Sequence, residues 1–289
     1  MKKKSFSVAF LIIGCILAMY AISLIIPLLW AFMTSFKSRS DFVINSVIAL
    51  PQKWRWDNYI KAGEVFQVYV SGENGRRAVL LGEMFLYSIL YSFGCAAIVT
   101  FIPCLVAYLV QRYHFKFSGF IYNLVVVVML IPVVGNMPST ILVLRTLGLF
   151  DSYFGLLALN AHFTGTYFII FYGTFKGVDN GYVEAAKIDG ASNTTIMFRI
   201  MFPLIRTTIS TVFLLNLIAK WNDYLTPMIY WPSCPTASLG LMLYSHNRLV
   251  NSVPDQLVGS IIVVLPILVV FLCFKKYLMG NLTMGGLKG

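Results

Sequence analysis

The sequence predicts an all-α polytopic membrane protein with six transmembrane helices. Three observations predict it. Of 289 residues, 58% are hydrophobic and only 11% are charged, against about 25% charged in an ordinary soluble domain. The charges are placed unevenly and leave long stretches with none. Those stretches are long enough to cross lipid, where only helices and closed barrels satisfy every backbone polar group. The same composition excludes a disordered chain, a coiled coil and a secreted disulfide scaffold.

A helix crossing about 30 Å of hydrocarbon needs roughly 20 apolar residues. Charge-free runs of that length include Ser5–Phe36, Met84–Gln111, Phe117–Leu144, Ser152–Phe175 and Gln256–Phe274. The first follows Lys2, Lys3 and Lys4. It is too long for a signal h-region and lacks a small-residue cleavage site, so it reads as a retained helix. A sixth span, Leu204–Tyr230, holds Arg206, Lys220 and Asp223 but ends in Trp221, Tyr224, Tyr230 and Trp231, the residues of an interfacial belt. Proline at 27, 103, 132, 138, 227 and 266 predicts bent helices, most of all in Ile131–Pro138.

Six spans put both termini on one side. That side carries 12 Lys and Arg residues against 9 on the other, so the termini are read as cytoplasmic. The net charge of +11 then reflects topology and anionic lipid, and predicts no nucleic-acid partner. The long outer segment Ser38–Ala78 is expected to be a partly ordered cap lying on the membrane.

Catalytic chemistry is not legible. His114, His162 and His246 lie on separate segments, the five cysteines show no paired spacing, and there is no phosphate loop of the form G-x-x-x-x-G-K-[ST]. No metal site or cofactor is predicted for this chain, and any ATP chemistry must come from another. Two polar stripes are candidate pathway lining. Asn216, Lys220 and Asp223, with Pro227, follow helical spacing, and Lys220 and Asp223 three apart can neutralise each other. The stripe faces either a wet path or an ion pair held for packing. Asn160, Thr164 and Tyr167 form the second, which lines a path or bonds neighbouring helices.

The loop between the fourth and fifth spans is the most informative. From Gly181 to Pro203 it reads as a short helix, a stop at Asp189-Gly190, and a second helix capped by Ser192 or Asn193. Ala185 and Ala186 let another surface approach closely. Such a hairpin either docks a soluble partner or lies on the lipid surface.

Glu184, Ala185, Ala186, Asp189, Gly190 and Ala191, followed by Phe198, Ile200 and Pro203, resemble the EAA loop of ATP-binding-cassette importer permeases. Pro51, Trp54, Asn58 and Tyr59, then Leu147-Gly148-Leu149 with Asp151, Trp221–Leu225 and the tail Gly285–Gly289 are similar to the carbohydrate, maltose-permease-like branch. Asp179 and Thr207 stand where family members often carry proline.

The resemblance implies a type I importer permease for a sugar or oligosaccharide, non-catalytic itself, in a bacterial or archaeal cytoplasmic membrane. It divides the chain into a tail and first helix (1–36), an extracytoplasmic loop (37–78) and a five-helix permease core (79–289) with its coupling loop at 176–206. It implies that Glu184–Ala191 inserts into one of two cytoplasmic ATP-binding subunits, which use the ATP and Mg, with Lys288 as a second contact. A second homologous permease and an extracytoplasmic sugar-binding protein complete the implied assembly. The alternatives are a permease for another solute, such as a peptide or phosphate, and an ion-coupled carrier.

Overall fold

The computed structural model describes residues 8–72, 75–113, 115–131, 135–247 and 252–279. The chain forms two compact units, Met1–Gln67 with Leu241–Leu265, and Val68–Gly240 with Pro266–Gly289.

The first unit begins with α1 (Val8–Ser35), apolar on every side. A helix apolar all round belongs in a protein core or a membrane. This one lies outside any core, with its large side chains exposed from Phe10 to Leu29. Its exit is tied into a knot. Phe36 packs under Trp54, Trp56 and Tyr59, with ring centroids 5.2, 4.7 and 5.3 Å away. Asn58 Nδ2 donates to the carbonyls of Ser35 and Lys37 at 2.8 and 3.0 Å, and Tyr59 Oη meets Ser35 Oγ at 2.7 Å. Lys37, 1% exposed, donates to the carbonyls of Ser46 and Val47. A short helix, α2 (Asp57–Val65), follows. These ring contacts and hydrogen bonds order the segment that follows α1.

Asp41 closes this knot. Its carboxylate accepts from Asn45 Nδ2 at 2.8 Å and from the Gln52 amide at 3.1 Å. The Asn45 bond, aided by Gln52, Lys37 and Arg55, holds its pKa below the ordinary value despite burial. A depressed folded pKa means stability present above the unfolded value of about 3.9 and lost as pH falls through the folded pKa. Hydrogen exchange of residues 41–52, corrected for intrinsic rate, should rise below about pH 4. In Asp41→Asn that rise should be absent.

The second unit opens with a two-stranded hairpin, β1 (Gln67–Gly72) and β2 (Gly75–Leu80). It is a small local exception within an all-α fold. Val68 and Val79 face inward while Tyr69 is exposed, the alternation of a half-buried strand. Then α3 (Leu81–Arg112) runs through the middle of the unit. Its buried positions recur every three or four residues from Met84 to Tyr108. Many are small (Ser88, Ser92, Ala96, Thr100, Ala107), which lets neighbouring helices approach.

The third charge-free run is two helices, α4 (Ser118–Leu130) and α5 (Met137–Thr146); of its prolines, Pro132 lies outside the described residues. The fourth is also two, α6 (Tyr153–Asn160) and α7 (Thr166–Lys176). That break contains no proline. The chain turns at Gly165, with φ 138°, a break that no proline marks.

The next segment holds α8 (Gly181–Ile188), α9 (Asn193–Thr195), a π-helical turn at Ile196–Met201 and α10 (Phe202–Leu204). A 74° bend leads into α11 (Arg206–Asn222). After α12 (Leu225–Tyr230) and α13 (Ala237–Ser245), the chain closes with α14 (Val253–Met279). Among the described residues, α1, α3 and α14 are long and apolar enough to cross a membrane, and the bent pair ending in α11 is a fourth candidate. The protein is thus a predominantly α-helical, multi-pass membrane protein.

Candidate functional site

The loop between α7 and α11 is built from the residues singled out above. Asp179 Oδ1 accepts from the Gly181 amide at 3.2 Å, and the Asn180 carbonyl accepts from Val183 and Glu184 at 2.9 and 3.0 Å, which starts α8. Ala186 turns inward, 7% exposed, onto a cluster with Phe175, Ile196, Met197 and Met201. Outward, α8 shows Tyr182 (54% exposed) and Ile188 (87% exposed), with Glu184, Ala185 and Asp189 also exposed. A hollow of about 410 Å³ borders this face, lined by Asp179, Tyr182, Ala185, Asp189 and Ile200 among others.

The stop after α8 explains the motif's spacing. Gly190 takes φ +77°. Its amide donates to the Lys187 carbonyl at 3.1 Å, and the Ala191 amide reaches back to the Ala186 carbonyl at 2.9 Å. This is the paired 5→2 and 6→1 bonding of a Schellman stop, which favours glycine at the left-handed position. Ala191 packs against the same cluster as Ala186, the apolar contact that accompanies such a stop. Ser192 caps the next helix, its Oγ accepting from the Thr195 amide at 3.2 Å. Lys288 lies outside the described residues.

The two polar stripes do not survive as stripes. Asn160 ends α6, Thr164 lies in the break and Tyr167 is in the first turn of α7, so no single helix face carries the three. Asn160 is 6% exposed and donates to the Leu156 carbonyl at 2.8 Å, with Cys95 Sγ on α3 at 3.5 Å. Asn216 is also buried, bonded to the Val212 carbonyl at 3.0 Å and Thr100 Oγ1 on α3 at 3.4 Å. Both asparagines reach toward α3.

The proposed pairing of Lys220 with Asp223 is also corrected. Helix α11 ends at Asn222 and Asp223 is extended, so helical spacing no longer brings the two together. Among the described residues the one ion pair is Arg77 with Glu83. Asp223 instead accepts from Tyr91 Oη at 2.7 Å and from the Thr226 amide at 3.0 Å, pinning the α11–α12 kink to α3. Tyr91 was not anticipated, because nothing local links positions 132 residues apart.

The other motif residues also hold corners. Gly148, at φ +68°, ends α5 with the same pair of bonds, Gly148 amide to Arg145 carbonyl and Leu149 amide to Leu144 carbonyl. Asp151 accepts from the Ser233 amide at 3.1 Å and from its hydroxyl, and its own amide donates to the Tyr230 carbonyl.

A family described as the binding-protein-dependent transport system inner membrane component matches residues 100–279, more than half the chain and all of the loop just described. The chain belongs to that family. This inner membrane component is 25% identical over 278 residues to the permease protein NgcG of the diacetylchitobiose uptake system of Streptomyces coelicolor, covering 93% of this chain and 86% of the relative. It is 28% identical over 209 residues to the arabinooligosaccharides transport system permease protein AraQ of Bacillus subtilis, covering 72% and 74%. Its fold is similar to a chain in the crystal structure of a bacterial ABC transporter involved in the import of the acidic polysaccharide alginate, with a TM-score of 0.72 and 22% identity over 96% of this chain and 99% of the other. The inner membrane component is a transport permease subunit and not an enzyme.

Proposed function

We propose that this chain is one permease subunit of an ATP-driven importer for a sugar or oligosaccharide, and that α8 is the part its ATPase partner grips. The observation that carries the reading is α8 itself. It is pinned at both ends and anchored inward through Ala186, yet presents Tyr182, Ala185 and Ile188 to solvent. An apolar residue as exposed as Ile188 on so short and well-stopped a helix suits a surface that another protein covers. The names of the curated relatives favour a saccharide cargo.

Six crossings follow if α4 with α5, and α6 with α7, each make one broken span beside α1, α3, α11 and α14. Both termini and α8 would then face the cytoplasm. Closure of two ATP-binding subunits would push α8 and swing the spans between two states as rigid bodies. A second permease would complete the path, and a sugar-binding protein would deliver cargo from outside. For path lining, the break at 161–165 is the strongest candidate. Non-helical backbone at membrane depth is tolerated where it is enclosed by protein or lines a wet cavity, and Ala161 and His162 are exposed there. Thr164, Tyr167 and Lys220 remain candidates for that lining. Lys288 is proposed as a second ATPase contact.

Glu184 offers the direct test. It lies in the first turn of α8, and its carboxylate has no partner among the described residues. In a complex reconstituted in vesicles with both permeases, the ATPase pair and the binding protein, Glu184→Ala should cut sugar-stimulated ATP hydrolysis about tenfold without loss of insertion, equivalent to roughly 1.4 kcal/mol. Full stimulation in that variant would sink the coupling role.

A further inference from the structure

Between α8 and the ends of α3 and α7 lies a cavity of about 500 Å³, bordered by Tyr108, Arg112, Tyr172, Asn180, Glu184 and Lys187 among others. Side chains do not fill that space, so close packing there cannot transmit a push on α8. One side chain bridges to the root of α8. Arg112 is the last residue of α3. Its Nη2 donates to the carbonyls of Phe175 and Val178 at 2.9 and 2.7 Å, and its Nη1 donates to Asn180 Oδ1.

These three acceptors are the last turn of α7, the connecting turn, and the residue whose carbonyl starts α8. The turn they brace contains Gly177, and Val178 is the one of its side chains that packs against the core cluster. One turn earlier on α3, Tyr108 packs edge-on against Phe175 at 5.2 Å and Phe202 at 6.1 Å. The corner is therefore stiff on its α3 side, while at 177–180, among the described residues, only Val178 and the guanidinium tie the turn to the rest of the fold.

We propose that Arg112 is the positioning residue of coupling: a strut that makes α3 and the root of α8 move as one body. The inference rests on the coupling role proposed for α8. A planar guanidinium can fork to several carbonyls from one fixed position, which an ammonium on a flexible stem cannot do as rigidly. Without the strut, residues 177–180 become a hinge. A push on α8 is then absorbed as local bending, and ATP is spent without moving the spans.

The test measures ATP hydrolysed per sugar imported in reconstituted vesicles containing the full complex. Arg112→Met should assemble and raise that ratio at least about threefold. Arg112→Lys should fall between Met and wild type, and Asn180→Ala, which removes one of three bonds, should raise the ratio less. A merely structural role would lower the yield of complex and leave the ratio of surviving complexes unchanged. An unchanged ratio in Arg112→Met overturns the strut. If that variant does not assemble, an unchanged ratio in both Arg112→Lys and Asn180→Ala overturns it. Glu184→Ala, measured in parallel, separates the two claims. If Glu184→Ala uncouples and the Arg112 variants do not, only the strut fails. If Glu184→Ala stays fully stimulated, the coupling role of α8 fails first.

Discussion

Ile188→Asp should leave this chain folded and inserted but unable to hold its ATPase partner. Ile188 is 87% exposed, and substitutions at such a surface position usually change stability by no more than about 0.5 kcal/mol. If α8 docks, the same side chain becomes buried against the partner. Fully burying an isoleucine is worth roughly 1.5–3 kcal/mol, and an aspartate in its place adds the cost of desolvating a charge. The affinity of the ATPase subunit should fall at least about thirtyfold, roughly 2 kcal/mol. Co-purification of tagged complex from membranes reads this directly. Ile188→Leu should behave as wild type. Normal recovery of ATPase subunits with Ile188→Asp would mean that α8 lies on something other than that partner.

Gly155→Val should act on folding and not on docking. A Cβ at Gly155 would stand 2.1 Å from the Leu149 carbonyl oxygen. The obstacle is backbone, and it cannot step aside, because the Leu149 amide is held to the Leu144 carbonyl at 2.8 Å and Asp151 is hooked to Ser233. Overpacking of side chains alone costs about 1–3 kcal/mol, and a clash with pinned backbone should reach at least the upper end. The expected result is a loss of monodisperse, detergent-extracted protein of about tenfold or more, with Gly155→Ala intermediate. A wild-type thermal midpoint in Gly155→Val would contradict the close approach of α6 to the α5 stop.

Local signals in the sequence were read well where the physics is local. Long uncharged runs mark α1, α3 and α14 because lipid excludes charge wherever it occurs. The Asp189-Gly190 stop and the Ser192 cap were visible because they need only neighbours within six residues. What was not legible depends on partners far along the chain. Asp223 looked like half of an ion pair with Lys220, since spacing alone cannot show that α11 ends one residue earlier and that Tyr91 is waiting on α3. That Asn160 and Asn216 reach toward α3 was not legible, because a polar residue in a span has the same appearance whether it faces water or another helix. Arg112 counted only as one of the basic residues that set the orientation, since nothing local links it to Phe175, Val178 and Asn180. The break at 161–165 was hidden for a different reason. Glycine in a membrane helix is common, so Gly165 carried little information until its conformation was known.

The two stops built on Gly190 and Gly148 have a genetic consequence. A single missense change in a glycine codon brings in a residue with a Cβ, and apart from aspartate each would be forced into a left-handed conformation at a cost of about 1–2 kcal/mol. Asparagine, which tolerates that conformation better, is two base changes away. Drift can therefore replace many of the exposed residues of α8 one step at a time, while these two positions admit few first steps. A population carrying this gene should show mainly silent substitutions at both codons, with aspartate the commonest replacement.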